Sequence, residues 1–254
     1  MFIPFEIIKY YATAKVRHGI HSPFVYDFTD KCLKIDLDID FIRKRNELYN
    51  ILNNSKQKIW VNDQGSGSKK LNNERKVSEI FKYSSSKGKY ADLLYRVARH
   101  YKPSSILELG TSIGIGSIHL IEGNPNSTIT TVDACAETLK IAEANFQFFN
   151  YSIETKNLLF KNFIDNLENE VFDLIYIDGH HDGDALTGYL KSLEKHMNNE
   201  TIILLDDIRW SKSMIQAWRT ISSLSLYHVS IDLFRMGIIL PRSQQSKQHF
   251  TIRI

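Results

Sequence analysis

Three carboxylates follow two apolar segments that the sequence predicts to be buried strands. Asp178 ends FDLIYID (172–178), and Asp206 and Asp207 end TIILLDD (201–207). If these strands are neighbours in a parallel sheet, about 4.8 Å apart, their carboxyl ends open into one crevice. Clustered carboxylates repel one another unless they are protonated or neutralised, and a divalent cation with oxygen ligands is the usual remedy. The pattern predicts a metal site; the alternative is that Asp206 or Asp207 caps the following helix and that no metal binds.

Two histidines lie directly after the first of these strands, in DGHHDGD. An imidazole, with an ordinary pKa of about 6.5, can accept a proton from an acidified hydroxyl at neutral pH. We interpret Asp178 and His181 as candidate catalytic residues, and we prefer His181 to His180 by position. The alternative is a polar loop at a helix start, capped by Asp182 or Asp184. A zinc site is disfavoured because no cysteine joins the group.

A glycine-rich segment, ILELGTSIGIGS (106–117), is the next candidate site. Its apolar start predicts a buried strand, Gly110 breaks that strand, and Gly114 leads into a helix. Glycine at a strand-to-helix turn lets the backbone approach a ligand, and helix amides suit an anionic group. The strict dinucleotide fingerprint requires glycine at the first, third and sixth positions, which here are Gly110, Ser112 and Ile115. The fingerprint fails twice, which disfavours a nicotinamide-dependent oxidoreductase.

Two acids accompany this glycine segment. Asp133 follows the next predicted strand (127–132), 19 residues after Gly114. An acid at that place can accept hydrogen bonds from both hydroxyls of a ribose, and it can also cap the following helix. Glu108 lies inside the glycine strand, where an unpaired charge is costly, so we expect it to bond to loop amides or to the amino group of a ligand.

The elements that must position these residues alternate between strands and helices. Strands are predicted at 106–109, 127–132, 157–160, 172–178 and 201–207, and helices at 77–81, 91–101, from 117 onward, 136–149, 184–196 and 211–222. This alternation predicts an α/β fold with a doubly wound parallel sheet. YHVSIDLFRMGIILPR (227–242) predicts a closing antiparallel hairpin that turns near Arg235–Gly237, and QHFTIRI (248–254) predicts one more strand.

Residues 1–86 are predicted to form an N-terminal extension that covers the site, followed by a main domain over 87–254. The extension is predicted to be helical over 1–50 and to contain a flexible loop over 53–76, which is rich in Asn, Lys, Ser and Gly. Trp210, directly after the aspartate pair, can form a wall of the pocket. His18 and His21 can reach a site or bind a metal; the alternative is that they are ordinary surface histidines.

The composition limits the classes of function. The 254 residues include 32 Lys and Arg and 29 Asp and Glu, giving a net charge of +3 without a basic block, so nucleic-acid binding by bulk electrostatics is not expected. Cys32 and Cys135 form no disulfide framework, which favours a reducing cytoplasm. No stretch approaches about 18 uninterrupted apolar residues, so we expect no membrane span.

The pattern Glu-x-Gly-x-x-x-Gly, from Glu108 to Gly114, resembles the first motif of class I S-adenosylmethionine-dependent methyltransferases, in the spacing of small O-methyltransferases. Residues 87–242 resemble this class, most closely the methyltransferase 24 and catechol-type group, and the closing hairpin is typical of its Rossmann-like sheet. The opening RHGIHSPFVYDF and the ending TIRI resemble Bacteroidetes members. Catechol-type enzymes carry Asp-Asn where Asp206-Asp207 stand, and a Lys base where His181 stands.

The resemblance implies S-adenosylmethionine as the cofactor and a set of residues that hold it. That set is Glu108, Gly110, Thr111, Ser112, Gly114, Asp133, Ala134, Asn162, Phe163 and Asp178, with Asn162 and Phe163 on the adenine side. It further implies Mg²⁺ at Asp178, Asp206 and Asp207, which would lower the pKa of the acceptor hydroxyl.

The implied function is methyl transfer to the hydroxyl of a small-molecule acceptor, with His181 as the base. Residues 1–86 would cover the acceptor, and their apolar content permits homodimer contacts. The alternatives are a non-catalytic binding module that has kept the fold and, less favoured, a nicotinamide-dependent oxidoreductase. Enzymes that methylate amino groups of DNA carry an Asn/Asp-Pro-Pro-aromatic motif where this chain has Asp-Gly-His-His at 178–181.

Overall fold

The computed structural model describes residues 2–14, 22–61 and 74–254; His18 and His21 lie outside these ranges, as do residues 62–73 of the predicted loop. Its helices are α1 (Phe2–Thr13), α2 (Pro23–Phe28), α3 (Ile39–Asn54), α4 (Val77–Tyr83), α5 (Lys89–Tyr101), α6 (Ile115–Gly123), α7 (Ala136–Phe148), α8 (Phe160–Asp165), α9 (Gly183–Leu193) and α10 (Lys212–Ser223). Its strands are β1 (Lys58–Trp60), β2 (Glu74–Lys76), β3 (Ser105–Leu109), β4 (Thr128–Asp133), β5 (Glu154–Asn157), β6 (Leu174–Ile177), β7 (Ile202–Leu205), β8 (Val229–Asp232), β9 (Gly237–Leu240) and β10 (Gln248–Thr251).

Eight strands form one sheet in the order β10-β8-β9-β7-β6-β3-β4-β5. β9 pairs antiparallel with β7 and with β8, and the other neighbouring pairs of this sheet are parallel. The predicted α/β doubly wound sheet with a closing antiparallel hairpin is therefore confirmed, and the last predicted strand is present as β10. β1 and β2 form a separate two-stranded antiparallel ribbon.

The central strands are apolar because helices cover both faces of the sheet. In β3, Ile106 belongs to a core shared with α2, α5 and α6, whereas Leu107 belongs to a second core shared with α8, α9 and α10. Every residue of β6 and β7 is buried, as expected for parallel strands between two helical layers. The carboxyl edge of the sheet is thus where polar side chains can gather without disrupting a core.

The N-terminal helices pack directly on the rest of the molecule. Phe24 of α2 lies in the core on one face of the sheet. Glu6 of α1 pairs with Arg219 of α10 at 2.9 Å, and the Tyr10 hydroxyl donates to the carbonyl of Ile252. The predicted helical character of the first fifty residues is confirmed for α1, α2 and α3. No helix in the described ranges is both long enough and apolar enough to cross a membrane.

The third strand of the predicted series is misplaced. The apolar LLF suggests a strand over 157–160, but the strand is β5, Glu154–Asn157, and Phe160 begins α8. β5 lies at the edge of the sheet and its side chains are half-buried or exposed, so polar residues suffice there. Leu158 and Leu159 are 39% and 44% exposed in the connection to α8.

The prediction of a flexible loop over 53–76 is wrong at both ends. α3 continues to Asn54, and β1 and β2 pair with Ile59 opposite Arg75. Ile59 is buried with residues of α3, α4 and α7, so apolar packing stabilises the ribbon. The polar composition of the segment gives no sign of this packing.

Candidate active site

A cavity of about 820 Å³ opens at the carboxyl ends of β3, β4, β6 and β7. Its lining includes seven of the predicted site residues, namely Gly110, Ser112, Asp133, Ala134, Asp178, His181 and Asp207. Six others do not line it: Glu108, Thr111, Gly114, Asn162, Phe163 and Asp206. Trp210 lines it, as predicted, and so do Ile80 and Tyr83 of α4, from the segment predicted to cover the site.

The glycine turn brings two strand ends into contact that a larger residue would prevent. Gly110 has φ +112°, and a Cβ placed on it would lie 1.9 Å from the carbonyl oxygen of Asp178. Gly114 has φ +86° at the start of α6, and its Cβ would lie 2.7 Å from the ring of Phe146. Both glycines therefore permit close packing of the chain on itself, and Gly110 with Ser112 forms a backbone cradle at the cavity wall.

Asp133 is fixed at the same wall by two backbone amides. Its Oδ2 accepts the N–H of Ser112 at 2.7 Å, and its Oδ1 accepts the N–H of Cys135 at 2.8 Å. The first contact joins the glycine turn to the end of β4, and the second stabilises the start of α7. Asp133 lines the cavity as expected, but the N-cap residue of α7 is Cys135, so the alternative role of Asp133 as a helix cap is wrong.

Glu108 lies in the core next to the glycine turn and does not line the cavity. It is fully buried, and the hydroxyls of Ser117 and Thr131 donate to its Oε2. Its Oε1 has no hydrogen-bond partner among the described residues, and a Cβ on Gly116 would lie 2.2 Å from that atom. Burial raises the pKa of Glu108 to about 7. The expected contacts with loop amides or with a ligand are replaced by these hydroxyl contacts.

This burial predicts a pH dependence of stability. Because the folded pKa of Glu108 (about 7) exceeds its ordinary value of 4.5, its stabilising contribution is complete below pH 4.5 and is lost as pH rises through 7. Relative to Glu108→Gln, the free energy of unfolding of the wild type should fall by on the order of 3 kcal/mol across that interval. Urea unfolding of both proteins at several pH values measures this; parallel pH profiles would contradict it.

The three strand-end aspartates, here called the carboxylate cluster (Asp178, Asp206 and Asp207), are brought together as predicted. β6 and β7 are parallel neighbours with Ile177 opposite Leu205, so the cluster follows directly at the two ends. Burial and the neighbouring carboxylates raise the pKa of Asp178 well above its ordinary value, and they raise the pKa of Asp207 as well. The cluster thus needs positive charge or protons, as the sequence suggests.

The positive charge comes from Arg235. The sequence predicts only that this residue lies near the turn of the closing hairpin. Its Nε lies 3.0 Å from Asp206 Oδ1 and 2.9 Å from Asp207 Oδ1, and its Nη2 lies 3.1 Å from Asp206 Oδ2. Ser86 was also missed: its hydroxyl donates to Asp206 and accepts from Arg235 Nη2 at 2.8 Å. The only sequence signal for Arg235 is a cation in the tight turn of the closing hairpin.

The side chains of His180 and His181 contact different residues in the structure. His181 Nε2 lies 3.9 Å from Asp207 Oδ2, and its ring lies 5.0 Å from that of Trp210. His180 Nδ1 instead lies 2.5 Å from the hydroxyl of Tyr189, which belongs to α9. Of the pair, His181 is the imidazole beside the carboxylate cluster.

Strained backbone collects around the cavity. Four of its lining residues other than glycine have positive φ: Ser112 (48°), His180 (67°), His181 (41°) and Asp207 (50°). Such conformations cost about 1–3 kcal/mol each and persist at sites where they aim a side chain or an amide at a ligand. Their concentration here supports a functional cavity.

Two of the expected caps can now be assigned. Asp182 caps α9 by accepting the N–H of Ala185 at 2.9 Å, as one of the alternatives proposed. Ser211, and neither Asp206 nor Asp207, caps α10 by accepting the N–H of Met214 at 3.1 Å. The alternative role of the aspartate pair as a helix cap is therefore wrong.

The residues expected on the adenine side lie elsewhere. Asn162 is exposed on α8, and Phe163 packs in the core beneath the sheet. Because α8 begins at Phe160, the positions of this segment that line the cavity are Leu159, Phe160, Lys161, Ile164 and Asp165. The adenine-side positions were predicted wrongly because the third strand was misplaced.

The predicted Mg²⁺ site does not fit the arrangement of the cluster. Asp206 already accepts hydrogen bonds from Ser86, Tyr176, Arg235 and the backbone N–H of Asp207. A different group, Asp178, His181 and Asp207, has donor atoms within 4.8 Å of one another. That group includes an imidazole, which suits zinc or other transition metals better than Mg²⁺, and Arg235 already binds Asp207 Oδ1.

Residues 107–208 match a family model described as "Methyltransferase domain". The matched segment contains the glycine turn, Asp133 and the carboxylate cluster. Over these residues, which are less than half of the chain, the protein is similar to methyltransferase domains.

Two curated relatives share parts of this region. The chain is 34% identical over 117 residues to an O-methyltransferase of Aspergillus hancockii, covering 43% of this chain and 46% of that protein. It is 32% identical over 87 residues to a bifunctional methyltransferase of Rickettsia bellii, covering 34% of this chain and 16% of that protein. The chain thus spans less than half the length of the relatives it matches.

Solved structures share the fold across most of the chain. The SAH-bound methyltransferase of Podospora anserina aligns with a TM-score of 0.59 at 15% identity, covering 87% of this chain and 96% of that chain. The O-methyltransferase of Bacillus cereus in complex with SAH aligns with a TM-score of 0.56 at 16% identity, covering 85% and 97%. At these identities the alignments show the fold alone.

Proposed function

We propose that the protein is an S-adenosylmethionine-dependent O-methyltransferase that acts on a hydroxyl of a small molecule. The observation that carries the proposal is the meeting, in one cavity, of the glycine cradle, Asp133 and the pair formed by His181 and Asp207. The relative from Aspergillus hancockii, which is named as an O-methyltransferase, supports the same reaction class.

The cradle fits the cofactor because Gly110 lets the ends of β3 and β6 approach closely and presents backbone alone to the cavity. In this proposal Gly110, Ser112 and Asp178 hold the methionine end, and Asp133 accepts the ribose hydroxyls. Leu159 and Phe160, which line the cavity, contact the adenine in place of Asn162 and Phe163. When bound, S-adenosylmethionine supplies an electrophilic methyl group on its sulfonium.

The residues of the chain supply proton transfer and positioning. His181 accepts the proton of the acceptor hydroxyl, and the carboxylate of Asp207 lies beside it, 3.9 Å from Nε2. Trp210 and Tyr83, which line the cavity, would contact the acceptor. Arg235 engages Asp206 and Asp207, two of the three ligands expected for Mg²⁺, so the proposed reaction proceeds without metal assistance.

Calorimetric titration with S-adenosylhomocysteine tests the proposal, with NAD⁺ as the control. Micromolar binding of S-adenosylhomocysteine alone is the expected result and justifies a screen of hydroxyl acceptors. Heat from NAD⁺ alone would support a nicotinamide-dependent enzyme. Binding of neither would contradict the proposal and favour a non-catalytic module.

Replacement of Asp133 by alanine should weaken S-adenosylhomocysteine binding by about 10- to 100-fold, because two hydrogen bonds to a charged acceptor are lost. The matched control is Glu137→Gln, an acid in the first turn of α7 that pairs with Lys140 at the surface and does not line the cavity. Calorimetry on the two variants separates the ribose contact from a general loss of charge. Equal affinities would contradict the role of Asp133.

The proposal extends to partners and location. Ile80, Tyr83, Ser84 and Ser85 line the cavity, which supports a role for residues 1–86 in covering the acceptor. Exposed Phe5, Ile8 and Tyr11 on α1 support homodimer contacts, which light scattering would measure. The balanced charge supports a small-molecule partner in place of a nucleic acid, and two buried free cysteines support a cytoplasmic location.

A further inference from the structure

The carboxylate cluster contains its own cation. The guanidinium of Arg235 bridges two of the three carboxylates, with Nε 3.0 Å from Asp206 Oδ1 and 2.9 Å from Asp207 Oδ1. A divalent ion in such a cluster would serve the same electrostatic purpose. Arginine suits this role because its charge is permanent and its planar fork matches carboxylate oxygens.

The closing hairpin holds the guanidinium in place. The backbone N–H of Ile208, after β7, donates to the carbonyl of Arg235 at 2.9 Å, so the hairpin tip is tied to the loop that carries the aspartates. On the other side, Ser86 accepts from Arg235 Nη2 at 2.8 Å and itself donates to Asp206. The cation is thus fixed by two separate parts of the chain.

A metal ion that used Asp206 could bind only by breaking several contacts. The side chain of Asp206 is fully buried, and that of Arg235 is 32% exposed. An ion that used Asp206 would displace Arg235 and Ser86 and leave a largely buried guanidinium without its partners, which is strongly unfavourable. The observed contacts therefore favour the internal cation over an external one.

We propose that Arg235 replaces a divalent cation in this site and makes it independent of metal. Arg235 is a positioning residue: it neutralises Asp206 and Asp207, and it keeps Asp207 oriented beside His181. This inference rests on the proposed function, because that function is what makes the cluster part of an active site. Its test, however, needs neither cofactor nor turnover.

The test compares thermal unfolding in chelator with unfolding in millimolar Mg²⁺ or Mn²⁺. The Tm of the wild type should differ by less than about 1 °C between these conditions, because a ligand that does not bind does not stabilise. Arg235→Met should lower the Tm in chelator by about 5 °C or more, because the carboxylates lose their counter-charge. The metal ions should restore at least half of that loss, since the cluster then binds an external cation.

Two further variants make the result decisive. Arg43→Met removes an exposed cation that pairs with Asp40, and it should show no metal response. The double variant Arg235→Met with Asp207→Asn removes one cation and one anion, and in chelator it should be more stable than Arg235→Met alone. If Arg235→Met does not fold, a higher soluble yield of the double variant than of Arg235→Met is the expected result.

Three outcomes would overturn the proposal. They are a wild-type Tm that metal raises and chelator lowers, an Arg235→Met protein without metal response, and a double variant no more stable than the single one. Failure of the wild type to bind S-adenosylhomocysteine would contradict the proposed function and would leave these unfolding results unchanged.

Discussion

Replacement of Gly110 by alanine is expected to abolish measurable S-adenosylhomocysteine binding and to lower the free energy of unfolding by about 3 kcal/mol or more. The added Cβ would lie 1.9 Å from the carbonyl oxygen of Asp178, and the backbone there has φ +112°. The ends of β3 and β6 would have to separate, which would displace Asp178 and narrow the cradle. Urea unfolding and calorimetric titration measure the two effects.

Gly88→Ala provides the matched control for this change. Gly88 also has positive φ, +62°, but a Cβ on it meets no atom within 4 Å. Its replacement therefore costs only the conformational strain, about 1–3 kcal/mol, and should leave binding intact. If Gly110→Ala bound S-adenosylhomocysteine as well as Gly88→Ala does, the close approach of the two strands would not be what shapes the cradle.

The elements that formed as predicted are those whose signals are local or periodic. The alternation of strands and helices follows from apolar runs and amphipathic spacing, and it fixes which strand ends open at one edge. Asp133, Asp178 and Asp207 could be placed at the cavity because each directly follows a buried strand. The prediction of β5 failed because an edge strand needs no apolar face, and the apolar residues beside it form a loop.

Arg235 shows what such signals omit. The repulsion within the carboxylate cluster indicates that a cation is required, and that inference is sound. Its source is a side chain 29 residues beyond Asp206 along the chain, delivered by the tip of a hairpin. Nothing in the local sequence tells that the tip folds back over the strand ends, so a metal ion and an arginine fit the same pattern. Ser86 was missed for the same reason, since it reaches the site from a segment 120 residues away.

The hairpin depends on a second buried ion pair, at Asp232, and its loss should be severe. Asp232 is 4% exposed and accepts two hydrogen bonds from Arg209, each at 2.8 Å. It also accepts the indole N–H of Trp218 at 3.1 Å and the backbone N–H of Phe234 at 2.9 Å, next to Arg235. One carboxylate therefore joins β8, α10 and the tip of the hairpin.

Asp232→Ala should lower the free energy of unfolding by about 3–5 kcal/mol, because it removes the buried carboxylate that pairs with the Arg209 guanidinium and accepts the Trp218 N–H. Asp40→Ala, which breaks an ion pair whose side chains are 76% and 74% exposed, should cost less than about 1 kcal/mol. Urea unfolding of the two variants gives the comparison directly. Equal losses would mean that burial does not strengthen the Asp232 network.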